Sequence, residues 1–311
     1  MFKHKLLLKG QPLSKTRVPL FMIVSCLLLY SYARGQEPDK SPLMKVKALQ
    51  PDTLDFGRLI VYYSPKCKER AREFAYLYEN AAVLMKHNLG LSFTFHVAVL
   101  NPDQWFSEYP GIPYAIPWES QADNLIFLPS SLKEGLLIKG PDEMADRRRV
   151  DFIALHELGH LAAKHYYRSS ITGEPVPVSW LNELLATYFA ISFIKSTNTE
   201  WARAIQAEWQ ANVEQYTPGT ISLDWNFMNE LQPDELARTY AWYQNLLNLR
   251  AAEVYDERGF KFLQDLKSGL VWDDVNNWTN KSVLAQLESI SPGFTKWANT
   301  LETRYKNNGN N

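Results

Sequence analysis

The feature that most constrains this chain is the run His156-Glu157-Leu158-Gly159-His160 inside an apolar stretch. Side chains four residues apart lie on the same face of an α-helix, so His156 and His160 can direct their imidazole nitrogens at a single ion. Glu157 lies about 100° further round the helix, where it can reach a water on that ion but is badly placed as a ligand. The spacing predicts a helix that presents two histidine ligands to zinc and one glutamate as a general base.

Two histidines leave a tetrahedral zinc ion short of protein ligands, and catalytic zinc sites usually take a third. His165 is one residue too early for a Gly-x-x-His extension of the motif, and it points away from His160 on a continuing helix. Glu174 lies in a proline-rich loop, whereas Glu183 lies on a helix that is otherwise nearly all apolar. A buried carboxylate is costly unless it is paired or bound to a metal. The predicted zinc ligands are therefore His156, His160 and Glu183.

The sequence resembles the gluzincin metallopeptidases in two features and in their spacing. These features are the His-Glu-x-x-His motif and the later run Trp180-Leu181-Asn182-Glu183, with 22 residues between His160 and Glu183. This group contains thermolysin and the aminopeptidase N type enzymes, and its third ligand is the glutamate of an Asn-Glu pair. The Trp-Leu-Asn-Glu run is similar to the aminopeptidase N type, although a leucine follows the glutamate where that type usually has glycine. The resemblance covers roughly residues 58–270. It implies a zincin-like fold, one catalytic Zn²⁺ and a peptide or protein substrate.

The resemblance also implies residues around the zinc ligands. In that family a tyrosine from a later helix hydrogen-bonds the tetrahedral intermediate, and the segment with Tyr240 and Tyr243 resembles that element. The two tyrosines lie one helical turn apart, so the sequence does not distinguish them, and a core position is the other interpretation of each. Asn182 is expected to orient the site from beside the third ligand. Glu119 lies where the family places an edge strand along the substrate and where aminopeptidases carry a glutamate for its free amine. The other interpretation of Glu119 is a solvated loop acid.

These residues predict hydrolysis of a peptide bond by a water that zinc activates. Glu157 takes the proton of that water and returns it to the leaving amine, while a tyrosine and the zinc stabilise the oxyanion. Two other functions remain open: a binding or scaffold protein that keeps the fold without turnover, and a zinc hydrolase that acts on a substrate other than peptide. The motif is compatible with both exopeptidases and endopeptidases.

Residues 1–35 have the composition of an export signal. Five basic residues precede an apolar run over residues 18–33, and Ala33-Arg34-Gly35 fits a cleavage site of small residues. We therefore expect an exported protein, periplasmic or extracellular. Two alternatives are a membrane anchor formed by an uncleaved segment 18–33 and a lipoprotein signal in which Cys26 is lipidated.

The charge balance bears on the partners of the exported chain. Removal of residues 1–35 leaves 27 basic and 34 acidic residues, a net charge of −7. An acidic chain is a poor partner for nucleic acid, so we expect no nucleic-acid binding. Cys67 is then the single remaining cysteine, which excludes an intramolecular disulfide in the mature chain.

The predicted fold class is α+β, with a small α/β layer that includes the motif helix and a mostly helical part after it. Residues 36–56 are predicted to be a linker, residues 57–311 a metallopeptidase domain divided into 57–168 and 169–305, and residues 306–311 a disordered tail. Apolar runs and alternation predict strands over 58–63, 91–100 and 124–128. Helical spacing predicts helices over 65–88, 180–195, 200–216, 235–256, 259–267 and 282–297.

Overall fold

The structure is a computed structural model. It describes residues 41–109, 116–131, 143–167, 178–216, 218, 221–224, 227–228, 231–270 and 278–306. The predicted export signal, the loop acid Glu174 and residues 307–311 of the predicted tail lie outside these ranges. Within the described ranges, no helix combines the length and the apolar character that a membrane crossing requires.

A mixed sheet forms the first half of the fold. Its strands are β1 (Asp52–Asp55), β2 (Leu59–Tyr63), β3 (Phe95–Leu100), β4 (Trp118–Ser120) and β5 (Leu125–Pro129). Their order is β1-β2-β3-β5-β4, with β2, β3 and β5 parallel and the outer strands β1 and β4 antiparallel to their neighbours. Parallel strands buried on both faces need continuous apolar runs, and the sequence of the three central strands meets this requirement.

Helices pack against this sheet and dominate the described second half. They are α1 (Pro42–Ala48), α2 (Lys68–Leu89), α3 (Pro102–Glu108), α4 (Glu143–Tyr167), α5 (Ser179–Thr197), α6 (Thr199–Gln215), α7 (Pro233–Arg258), α8 (Lys261–Gly269), α9 (Asn280–Ile290) and α10 (Phe294–Lys306). The fold is therefore α+β, as predicted.

The sheet separates two apolar cores. Side chains alternate between the faces of a strand, so Val97 and Val99 of β3 join the large core that contains α2 and α4, whereas Ala98 faces the other side. There it packs in a smaller cluster with Val46 of α1 and Trp105 of α3. The motif helix α4 thus packs on one face of the sheet, and the smaller apolar cluster covers the opposite face.

Helix α5 is the centre of the helical half and packs against α4, α6 and α7. It is apolar on nearly all sides, which is typical of a helix enclosed by other elements. The α4–α5 contact is close at Gly159, where a Cβ atom would lie 2.8 Å from the carbonyl carbon of Ala186. The glycine of the motif therefore allows α5 to approach the two histidines.

Two secondary-structure predictions are wrong. The predicted helix over 282–297 is divided into α9 and α10 at Ser291-Pro292-Gly293, where Gly293 has a φ of 106° that favours glycine. The segment 36–56, predicted as a linker, contains α1 and β1 in its described part. Strand β1 is a mostly exposed edge strand, so it lacks the apolar alternation that would have indicated it.

Candidate metal centre

The motif helix α4 brings its two histidines to one buried face. His156 and His160 are both buried, and their rings meet nearly at right angles with centroids 4.7 Å apart. This placement follows from the four-residue spacing of the histidines and from the packing of the same helix face against α5. The two imidazoles therefore lie next to each other on one face of α4.

Helix α5 places Glu183 against both histidines. Its Oε2 atom lies 3.0 Å from Nε2 of His156, and its Oε1 atom lies 3.7 Å from Nε2 of His160. One donor atom from each of the three residues lies within 4.8 Å of the other two. The structure thus brings together the three residues that the sequence predicts as zinc ligands.

The charges of this cluster follow from its burial. Burial lowers the pKa of His160 to about 4, although the Glu183 carboxylate and the nearby Asn182 side chain oppose the shift. Burial would raise the pKa of Glu183, but the two histidines outweigh it and leave that pKa below its usual value. At neutral pH the cluster therefore contains a neutral His160 and an ionised Glu183.

Two more carboxylates lie within electrostatic reach of Glu183. Burial, together with the charges of Glu119 and Glu183, raises the pKa of Glu157 well above its usual value. Glu157 is half-buried and lies outside the cluster of the three donor atoms. Its placement agrees with a role beside the metal rather than on it.

The donor set and the local charge fit a zinc ion. Two imidazoles and one carboxylate are a common ligand set of catalytic zinc, which keeps a further position open. The charge of Glu183 raises the pKa of both Glu119 and Glu157, and the charge of Glu119 adds to the shift of Glu157. A divalent cation held by the three donors would neutralise this local excess of negative charge.

Glu119 lies on the edge strand β4, which contacts the motif helix α4. Its carboxylate accepts a hydrogen bond of 3.0 Å from Gln121 Nε2 and is half-buried. Burial raises its pKa to about 7, and the Glu183 carboxylate adds to the shift. Glu119 therefore lies half-buried on a strand, within electrostatic range of Glu183, and not in a solvated loop.

The turn between β4 and β5 is attached to the end of the motif helix. Lys164 donates to the Gln121 carbonyl oxygen and to Asn124 Oδ1, and a ring nitrogen of His165 lies 3.1 Å from the same Asn124 atom. The His165 ring also stacks on Phe93. His165 is therefore half-buried in a contact between α4 and this turn, and it lies outside the metal cluster, in agreement with its exclusion as a ligand.

Helix α7 carries both tyrosine candidates. Tyr243 is almost fully buried in the large core, whereas Tyr240 is half-buried and packs at its margin. Tyr240 precedes Gln244 by one helical turn, and Gln244 contacts the residues around His156. Helical spacing therefore places Tyr240 on the face of α7 that is turned toward the site.

A hydrogen-bonded group behind His156 was missed by the sequence analysis. Nδ1 of His156 lies 3.1 Å from the Thr187 hydroxyl oxygen, and that hydroxyl donates to Asn248 Oδ1 over 2.7 Å. Gln244 Nε2 donates to the same Asn248 oxygen over 3.2 Å. The available signals were Thr187 one turn after Glu183 and the i,i+4 pair of amides on α7, but neither indicates its partner.

Comparisons with known proteins give a partial structural likeness. No protein-family model matches the chain, and no curated protein matches it. The chain is similar to an M1 zinc metallopeptidase from Deinococcus radiodurans, with 16% identity, a TM-score of 0.42, and coverage of 81% of this chain and 51% of that chain. A mutant of that enzyme matches with 15% identity and a TM-score of 0.41, and the mutant bound to a Tyr-Ser-Ala substrate matches with a TM-score of 0.40. The chain thus spans about half the length of these structures, and the likeness concerns their fold alone.

Proposed function

We propose that this protein is a zinc-dependent metallopeptidase of the zincin-like gluzincin type. The observation that carries the proposal is the buried trio of His156, His160 and Glu183, whose donor atoms lie within 4.8 Å of one another beside Glu157. These three residues would hold one zinc ion. Bound zinc supplies a Lewis acid that polarises a carbonyl group and lowers the pKa of a water molecule.

The residues around the trio would transfer the protons of hydrolysis and stabilise the negative charge that develops on the oxyanion. The raised pKa of Glu157 makes its carboxylate a better proton acceptor, so it can take a proton from the attacking water and return it to the leaving nitrogen. Tyr240, or Tyr243 one turn later, would donate a hydrogen bond from its hydroxyl to the oxyanion of the transition state. Asn182 lies beside His160, where its amide helps to orient the ligands.

The edge strand β4 suits an extended peptide. Among the described strands, β4 pairs with β5 on one side only, so its other side can form main-chain hydrogen bonds with a substrate. Glu119 on this strand would then face the substrate's amino end. A free N-terminal ammonium would be stabilised there by Glu119 and by the nearby Glu183 charge. This placement favours an aminopeptidase over an endopeptidase.

The test of the peptidase function compares the purified parent with Glu157→Gln. Both are expected to bind one zinc ion, whereas cleavage of a mixed peptide library should fall by about 10²–10⁴-fold in the variant, because it lacks the general base. Zinc content by atomic emission serves as the control for an intact site. If both proteins bind zinc and neither cleaves peptides, the protein is a binding module or a hydrolase of another substrate.

The test of the aminopeptidase subtype compares peptides with free and with acetylated N-termini. The parent should prefer the free amine, and Glu119→Gln should raise KM for that substrate about tenfold or more while its zinc content stays unchanged. Glu253→Gln is a matched control, because Glu253 is an exposed carboxylate on the far end of α7. Equal cleavage of both peptides by the parent would contradict the subtype.

We also propose that the protein is exported, with residues 1–35 as the signal and segment 18–33 as a membrane anchor if it is not cleaved. N-terminal sequencing of the protein from fractionated cells tests this proposal. A first residue at Gln36 in a soluble exported fraction is the expected result. Recovery of the protein with its first residues intact in the cytoplasm would contradict it.

A further inference from the structure

The Thr187 hydroxyl stands between the imidazole of His156 and the amides of α7. Its oxygen lies 3.1 Å from His156 Nδ1 and 2.7 Å from Asn248 Oδ1. A threonine hydroxyl has a single proton, and that proton is directed to the Asn248 oxygen. The lone pairs of the hydroxyl oxygen can therefore accept a hydrogen bond from Nδ1–H of His156.

Gln244 stabilises this direction of the hydrogen bonds. Its Nε2 atom donates to Asn248 Oδ1 over 3.2 Å and approaches the Thr187 oxygen at 3.4 Å. Both contacts require oxygens as acceptors, which is consistent with Asn248 presenting its oxygen toward Thr187. Thr187 and Asn248 are buried, so water does not compete for these bonds.

The proton on Nδ1 determines what the other ring nitrogen can do. A neutral imidazole with a proton on Nδ1 has a lone pair on Nε2, and Nε2 of His156 faces Glu183 Oε2 at 3.0 Å. The same distance fits a hydrogen bond from Nε2–H to the Glu183 carboxylate, so Glu183 and Thr187 compete for the single ring proton of a neutral His156. With a proton on Nε2 instead, His156 would hydrogen-bond to Glu183 and close the cluster.

We infer that Thr187, with Asn248 and Gln244 behind it, is a positioning group that shifts His156 toward the Nδ1-protonated tautomer and so makes its Nε2 lone pair available to the metal. The group acts from α5 and α7 on a ligand of α4. It consists of neutral side chains, so it orients His156 without adding another negative charge to a site that already contains three carboxylates. The inference rests on the metal site of the proposed function and is independent of peptide cleavage.

The first experiment determines the tautomer directly. Metal-free full-length protein labelled with ¹⁵N-histidine contains six histidines, and the His156 signals are assigned by their absence in His156→Gln. We expect the fraction of His156 with a proton on Nδ1 to be similar in the parent and in Thr187→Ser, and lower in Thr187→Val, because valine has no hydroxyl to accept the hydrogen bond. An equal fraction of the Nδ1-protonated form in the parent and in Thr187→Val would overturn the inference.

The second experiment measures zinc affinity by competition with a chelator. Thr187→Val and Asn248→Leu should weaken zinc binding by about 10–100-fold, the usual effect of removing a hydrogen-bond partner of a metal-binding histidine. Thr187→Ser keeps the required hydroxyl and should bind zinc within a few-fold of the parent. Equal zinc affinity for Thr187→Val and Thr187→Ser would overturn the inference.

A matched control separates this role from a loss of packing. Ser192 is a buried hydroxyl on the same helix α5, and it donates to the Tyr188 carbonyl oxygen rather than to the site. Ser192→Ala should leave zinc affinity and the His156 tautomer unchanged, and urea unfolding of each metal-free variant reports its stability. A parent that binds zinc but cleaves no peptide would remove the proposed function while leaving this inference in place.

Discussion

At the scale of single residues, the site contains three carboxylates, Glu119, Glu157 and Glu183, that are at least half-buried and interact electrostatically. Burial raises the pKa of Glu119 to about 7, and it also raises that of Glu157. In contrast, the two histidines keep Glu183 ionised by lowering its pKa. The same chemical group therefore has different proton affinities at three nearby positions, which allows one to bind a cation while another exchanges a proton.

The raised pKa of Glu119 predicts a pH dependence of stability in the metal-free protein. Because the pKa rises from 4.5 to about 7 on folding, the folded state binds more protons in this range, and stability should fall as pH increases through it. Glu119→Gln should remove part of this fall, by up to about 1.4 kcal/mol for each pH unit. Urea unfolding of parent and variant across this range measures the effect, and parallel curves would contradict the prediction.

At the scale of elements, the site depends on the close contact of α4 and α5. Gly159 lies against the backbone of Ala186, so the two helices approach without an intervening side chain. This approach brings Glu183 and Thr187 of α5 to the histidines of α4. Backbone atoms cannot move aside as a flexible side chain can, so the contact tolerates little added volume.

We therefore predict that Gly159→Ala separates α4 from α5. The added methyl group should destabilise the protein by about 1–3 kcal/mol, and zinc affinity should fall because Glu183 moves away from the histidines. Gly269→Ala is the control: it is also a helical glycine, but its Cβ would meet the side-chain amide of Gln286, which can move. Urea unfolding and chelator competition measure both effects, and equal results for the two variants would contradict the prediction.

At the scale of the whole molecule, the site joins the two halves of the fold. Its residues come from the edge strand β4, from the motif helix α4 and from α5 and α7 of the helical half. Few of these groups are near one another in the unfolded chain, so the complete set of ligands forms only on folding. A metal that binds this set therefore stabilises the folded state.

Zinc removal should accordingly lower the unfolding midpoint of the whole protein. With free zinc at 100 times its Kd, the expected stabilisation is about 2.7 kcal/mol, and a chelator should abolish it. His160→Ala should lose this response, whereas His165→Asn should retain it because His165 lies outside the cluster of donor atoms. Thermal unfolding with and without zinc measures the shift, and a response that persists in His160→Ala would place the metal elsewhere.

The sequence by itself determined the parts of this protein that depend on local spacing. The pair His156 and His160 on one helix face follows from a four-residue interval, and the three central strands follow from their apolar runs. The partnership of Glu183 with the histidines was inferred because a carboxylate on an apolar helix needs a partner. Each of these inferences uses residues whose surroundings are largely set by their own segment.

Only the tertiary structure decided which distant residues meet. Thr187 and Asn248 are 61 residues apart in the chain, and no periodicity indicates that their side chains form a hydrogen bond. The half-buried position of Glu119 likewise depends on β4 packing beside α4. Burial, pKa and hydrogen-bond partners arise from the packing of separate elements, whereas helix faces and strand faces arise from the local period of the chain. For this reason the sequence predicted the cluster of His156, His160 and Glu183, but not the hydrogen bonds that Thr187, Asn248 and Gln244 form behind it.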